Sequence, residues 1–147
     1  MREVTVPALE AGFAAGERTR AEFQLSGPLF VVTGTNDEEM AAAAAGTRAQ
    51  IAFYGSTPGY HGVLKLHGWS ETGERLNAMS KRGEWEAMGD LITDEMLDTF
   101  AVVAPPDAVA PALLARYGDL VDRVAFNAPY DLDPDVTATI VAALTRA

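Results

Sequence analysis

Leu29-Phe30-Val31-Val32-Thr33-Gly34-Thr35-Asn36-Asp37-Glu38-Glu39 holds the transition on which the fold turns. Its first four residues are continuously apolar, not alternating, which suits a strand covered on both faces, as in a parallel sheet. Pro28 confines the hydrogen-bonded part to the residues after it, and Gly34 ends the strand, which reads as residues 23–33. A helix start follows at once. Thr35 with Glu38, or Asn36 with Glu39, supplies a capping box, and the three acids complement the positive end of a helix. That helix runs through the small-residue stretch 40–45 and on to Phe53 or Tyr54.

Outward from this unit the pattern is helical. Val6, Leu9 and Phe13 recur at spacings of three and four within a helix over residues 2–20. Downstream, Gly55-Ser56-Thr57-Pro58 breaks the long helix, and Thr57 is placed to cap a new one with Pro58 as its first residue. Ser70 is placed to cap another that ends at Gly83. Trp85, Met88, Leu91 and Ile92 form an apolar stripe that reads as core, and Thr93 caps a short helix bearing Met96 and Leu97. Residues 100–103 make a short extended run. Pro105-Pro106-Asp107 then opens a helix to about Tyr117, with Pro111 inside it as a point of bending or a later start. Residues 121–126 read as a second buried strand, and Asp133-Pro134 caps a last helix running to the C-terminus. Strands separated by helices define an α/β chain with a parallel sheet, helix-rich, with about two strands. Two parallel strands alone do not make a sheet with two covered faces.

Composition narrows the function classes. A chain of 147 residues, 48% apolar and 22% charged, has the balance of one folded domain over residues 1–147. The absence of cysteine excludes disulfides, thiolate metal sites and cysteine nucleophiles, and fits a reducing, cytoplasmic setting. A net charge of −10 with scattered basic residues argues against nucleic acid as a partner. No apolar stretch is long enough for a bilayer, so no membrane partner is expected, and residues 1–10 do not read as a signal peptide.

The most unusual stretch is Ile51-Ala52-Phe53-Tyr54-Gly55-Ser56-Thr57-Pro58-Gly59-Tyr60, followed by Val63-Leu64-Lys65-Leu66-His67-Gly68-Trp69. Together with Leu76-Asn77-Ala78-Met79-Ser80-Lys81-Arg82-Gly83-Glu84-Trp85, Leu91-Ile92-Thr93-Asp94-Glu95 and Arg116-Tyr117-Gly118-Asp119, it resembles the C-terminal region of luciferase-like flavin- or deazaflavin-dependent oxidoreductases. The likeness covers essentially the whole chain. The family pattern has alanine at Gly59, an arginine-proline pair at His61-Gly62 and glycine at Ala104, so the turn from Tyr60 to Gly62 departs from it. The resemblance implies an incomplete (β/α)8 barrel that begins after the sixth strand, since a whole barrel needs about 250 residues. It also implies coenzyme F420 or FMN as cofactor and a small-molecule substrate in the intact family. The isolated chain would then be inactive. The alternative is a non-catalytic association module, forming a homo-oligomer or pairing with a separate N-terminal half.

Barrel enzymes work at the C-terminal strand ends, here Val32-Thr33-Gly34 and Asn127-Ala128-Pro129-Tyr130. Gly34 before a helix N-terminus could hold a phosphate, but the acids that follow favour a plain helix cap. Tyr54, Gly55, Ser56, Thr57 and Tyr60 form the pocket candidate, a helix break offering aromatic faces and backbone N–H groups, or else a turn that packs a long insertion. His67 and Trp69 join them as pocket-lining candidates, with His67 as a possible acid–base group set against a structural role. Catalytic residues stay unassigned. Two histidines six apart make no metal site, and no nucleophile elbow surrounds Ser56. A small helical enzyme using His61 or His67 is a third, thinner reading.

Overall fold

The computed structural model describes residues 1–145 and contains one sheet of three parallel strands: β1 (Ser26–Val32), β2 (Ala101–Val103) and β3 (Arg123–Asn127). The order is β2-β1-β3. Phe30, Val31 and Val32 pair with Ala101, Val102 and Val103, whereas Ser26 to Phe30 pair in register with Arg123 to Asn127. The expectation of about two strands is therefore corrected to three. The added strand is the extended run after Phe100, and its three residues are too few for periodicity to mark it as a strand. Pro28 also lies inside the paired stretch, not before it. It is tolerated there because β2 reaches only Phe30, so the edge beside Pro28 carries no ladder on that side.

Alternation along β1 sends its side chains to two separate cores. Val32 and Phe30 pack with α2 (Asp37–Gly55), α4 (Ser70–Arg82), α5 (Trp85–Met88) and α6 (Asp94–Phe100), through Ala43, Ile51, Leu76, Met88, Met96 and Leu97. Leu29 and Val31 face α7 (Pro106–Tyr117) and α8 (Pro134–Leu144), through Val109, Leu113 and Ile140. The chain leaves β1 toward one edge and later crosses β1 to reach the other. Right-handed crossovers in opposite directions place their helices on opposite faces, which is the arrangement the two cores display. α3 (His61–Leu66) follows the break after α2, and α1 (Thr5–Ala15) lies outside the layers. Val6, Leu9 and Phe13 are nonetheless the half-buried positions of α1, as their spacing indicated.

Some local expectations needed correction. Trp85 is 50% exposed, although Met88 and Ile92 beside it are buried. The stripe is split, because α5 is four residues long and a 3₁₀ turn at Gly89–Leu91 re-aims the chain before Ile92. Pro111 does not interrupt α7; the donor it lacks would have served a carbonyl in the first turn, near the helix start. Asp133 caps α8, its side chain accepting from Asp135 N at 2.7 Å, and the expected continuation through Arg146 and Ala147 lies outside the described residues.

Candidate functional site

An open cavity of about 340 Å³ lies between the sheet and the corner where α2 gives way to α3. Pro28 and Phe30 of β1 and Asn127 of β3 form one side. Ile51, Tyr54 and Gly55 of α2 form another, and Tyr60, Val63, Leu64 and Phe100 complete it. The local sequence makes this corner. α2 stops where Gly55-Ser56-Thr57-Pro58 replaces helix formers, and the 3₁₀ turn Pro58–Tyr60 leads into α3. Ser56 Oγ donates to the Phe53 carbonyl at 2.7 Å, and Asn77 Nδ2 donates to the Ser56 carbonyl at 2.8 Å, which pins the corner to α4. At Gly55 a Cβ would sit 3.0 Å from Leu76 Cδ1, so the missing side chain lets α4 close against the back of the cavity.

The walls combine aromatic and aliphatic side chains and are uncharged. The Tyr54 ring lies 6.3 Å from Phe30 and meets Tyr60 edge-on at 5.7 Å, distances ordinary for aromatic pairs. No lining residue carries a charge. Among the described residues the Asn127 amide and the Tyr54 and Tyr60 hydroxyls make no hydrogen bond to the protein, and both tyrosines are partly exposed.

The seven pocket candidates read from the sequence divide in space. Tyr54, Gly55 and Tyr60 line the cavity. Ser56 is buried behind it with its hydroxyl satisfied, and Thr57 is exposed at the start of the turn. His67 and Trp69 form a separate stack, ring centroids 4.9 Å apart at 20°, with Phe100 edge-on to both. Phe100 is the link between that stack and the cavity. The other lining groups, Pro28, Phe30, Ile51, Val63 and Leu64, read from the sequence only as apolar. The one available signal was that Pro28 and Phe30 are two apart, hence on the same face of a strand.

The strand ends beside this cavity are closed. The β1–β3 ladder stops at Phe30 and Asn127. Beyond it the Tyr130 hydroxyl accepts from Thr33 N at 3.1 Å and donates to the Val31 carbonyl at 2.9 Å, standing in for the absent strand. Burial raises the Tyr130 phenol above its ordinary value, partly offset by the Thr33 N–H. Gly46 makes room for this loop, since a Cβ there would lie 2.9 Å from the Pro129 carbonyl oxygen. At the start of α2, Asn36 accepts from Glu39 N at 2.9 Å, and the Glu39 carboxylate accepts from both the N–H and the hydroxyl of Thr35 at 2.7 Å. A Cβ on Gly34 would fall 2.6 Å from that of Glu39. The helix start is thus filled by its own side chains: a cap, with no opening for phosphate.

The Glu39 carboxyl is held below its ordinary value of 4.5, chiefly by the Thr35 N–H and then by the Thr35 hydroxyl. A lowered folded pKa means stability present above the unfolded value and lost as the pH falls through the folded one. Glu39→Gln is therefore expected to show a shallower acid limb than the parent chain in thermal melts taken from pH 6 downward. Superimposable limbs would contradict the capping geometry.

Among the described residues no group of three or more histidines and carboxylates could hold a metal, and no helix is long and apolar enough to cross a membrane. His61 packs against Gly73, with Nε2 enclosed and without a hydrogen-bond partner.

A parallel sheet with helices on both faces defines an α/β protein, here with an apolar cavity beside its central strand. The chain belongs to the luciferase-like monooxygenase family, whose model matches residues 2–123. It is 54% identical over 124 residues to uncharacterized proteins of Mycobacterium tuberculosis and Mycobacterium bovis, a match covering 84% of this chain and 36% of each relative. It is 31% identical over 147 residues to the 5,10-methylenetetrahydromethanopterin reductase of Archaeoglobus fulgidus, covering 94% of this chain and 41% of that enzyme. The chain thus spans little more than a third of the length of its mycobacterial relatives.

Proposed function

We propose that this chain is the C-terminal part of a (β/α)8-barrel oxidoreductase that uses coenzyme F420 or FMN, and that the cavity is its share of the barrel's ligand site. The observation that carries this is the position of the cavity. α7 and α8 cover one face of the sheet, as the outer helices of a barrel do, and the cavity opens on the other face, beside Phe30 and Asn127. β1 and β3 are parallel neighbours, as the last two strands of a barrel would be. β2 covers only the C-terminal half of the opposite edge of β1, which leaves Ser26 to Leu29 free for a preceding strand. α2 to α6 would then be an insertion over the barrel mouth. A relative named as a reductase fits this chemistry.

The residues present fit part of such a cofactor. Tyr54, Tyr60 and Phe30 offer faces and edges to a flat ring, and Asn127 a polar group at its margin. A phosphate-bearing tail finds no cation among the lining residues and would need one from elsewhere in a complete barrel. The bound deazaflavin or flavin would supply hydride transfer. This chain's part is to orient the ring or substrate and, through its apolar walls, to exclude water. A cysteine-free, acidic chain also fits the cytoplasm.

The test is complementation. The chain alone is expected to show no low-micromolar binding of F420 or FMN, followed by cofactor fluorescence. Mixed with the unmatched remainder of the mycobacterial relative, it should acquire such binding. Tight binding by the chain alone, or none by the assembly, would refute the reading.

A further inference from the structure

We infer that the cavity is a subsite for a neutral, planar aromatic substrate, and that it rejects anions. This rests on the reading of the cavity as a ligand site, and it adds the chemical class of the ligand. Three independent observations point the same way. The first is the wall: Phe30, Tyr54, Tyr60 and Phe100 line one cavity, and aromatic rings engage a flat ring better than an irregular apolar body. The second is charge. No lining residue is ionisable to a cation, and the chain carries a net −10, so an anion entering the site would lose its water without gaining a partner and would approach against the net charge of these 147 residues. The third is the set of unspent polar groups. The Asn127 amide and the two tyrosine hydroxyls lack protein partners among the described residues, and they are neutral donors and acceptors suited to a carbonyl, a hydroxyl or a ring nitrogen.

Size completes the assignment. A cavity of about 340 Å³ lies at the lower end of the usual range for small-molecule sites, roughly 300–1,000 Å³. It takes one fused ring system and does not take a whole nucleotide-like cofactor. Tyr54 and Tyr60 are both partly solvent-exposed, so the ligand would shield apolar surface that now faces water.

Two dyes that share one skeleton make the test. N-phenyl-1-naphthylamine is neutral, and 8-anilino-1-naphthalenesulfonate adds a sulfonate to the same rings. Titrated separately into the 147-residue chain, the neutral dye is expected to bind at a single site about tenfold or more tightly than the sulfonate, because the sulfonate must be desolvated without a cation. Tyr60→Ala should weaken the neutral dye, and Val63→Arg should raise affinity for the sulfonate. Both positions are about half exposed, so circular dichroism should show the fold unchanged. Equal affinity, preference for the sulfonate, absence of neutral-dye binding, or indifference to both substitutions would each overturn the assignment. Its failure is separable from that of the barrel reading. If the complemented assembly takes up F420 or FMN while the neutral dye fails, the substrate class is wrong and the barrel stands. If the dye binds as expected and the assembly takes up neither cofactor, the barrel reading fails instead.

Discussion

Leu76→Ala is expected to lower the free energy of unfolding by about 2–5 kcal/mol, the range for removing a fully buried leucine from a packed core. Leu76 has no exposed surface and lies in the same core as Ile51, Ala52, Met88, Ile92 and Met96. Removing it takes away the transfer free energy of three carbons and leaves a space that the rigid α2–α4 contact cannot close. The loss reaches the cavity as well. Leu76 Cδ1 sits 3.0 Å from where a Cβ of Gly55 would be, and Gly55 is part of the cavity wall. With Leu76 shortened, the corner between α2 and α3 loses its backing, and binding of the neutral aromatic dye should weaken in parallel with stability. Urea unfolding followed by circular dichroism measures the first effect. Leu76→Met is the control, since a volume-conserving change in a core costs less than about 1.5 kcal/mol. A loss below about 1 kcal/mol for the alanine variant, outside that leucine range, would mean that α2 and α4 are not packed as described.

The dual role of Leu76 shows which parts of this protein could be read from its sequence. The strand-to-helix unit was legible, because Leu29 to Val32 are continuously apolar and Asn36 with Glu39 form a cap whose chemistry is local. Asn36 does accept from Glu39 N; only the return bond differs, running from Thr35 and not from Asn36 itself. The helix break around Gly55 to Pro58 was legible for the same reason. β2 was not, since three residues carry no period, and its pairing with Phe30 to Val32 is set by contacts some seventy residues apart. Trp85 was misplaced because spacing alone does not reveal that the helix beneath it ends after four residues.

The site divides along the same line. Tyr54, Gly55 and Tyr60 lie within one local turn, and the turn's composition pointed to them. Asn127 was placed at the rim by the likeness to a barrel, whereas Phe30 and Phe100 come from distant segments that only the folded chain brings to one cavity. His67 and Trp69 illustrate the converse. Both were pocket-lining candidates, His67 weighed against a structural role, and the fold stacks them on each other with Phe100 between that stack and the cavity.

Tyr130→Phe is expected to cost about 1–3 kcal/mol, because it strips two backbone groups at the end of the central strand of their partner and offers nothing in exchange. The Thr33 N–H and the Val31 carbonyl both lie beyond the reach of β3, whose pairing stops at Phe30. Thr33 is buried, so water does not readily replace the lost bond. The pH dependence separates this account from a simple loss of packing. Burial raises the phenol above its ordinary value of 10.0, so the unfolded chain releases this proton at a lower pH than the folded one. The stabilisation is therefore fully present below pH 10 and is lost as the pH climbs through the folded value. Phenylalanine has no proton to lose. The parent chain and the variant should thus differ most near neutrality and converge above pH 10, the remaining tyrosines being common to both. Denaturant midpoints measured from pH 7 to 11 test this, and parallel curves across the whole range would show that the phenol is not buried in the folded chain.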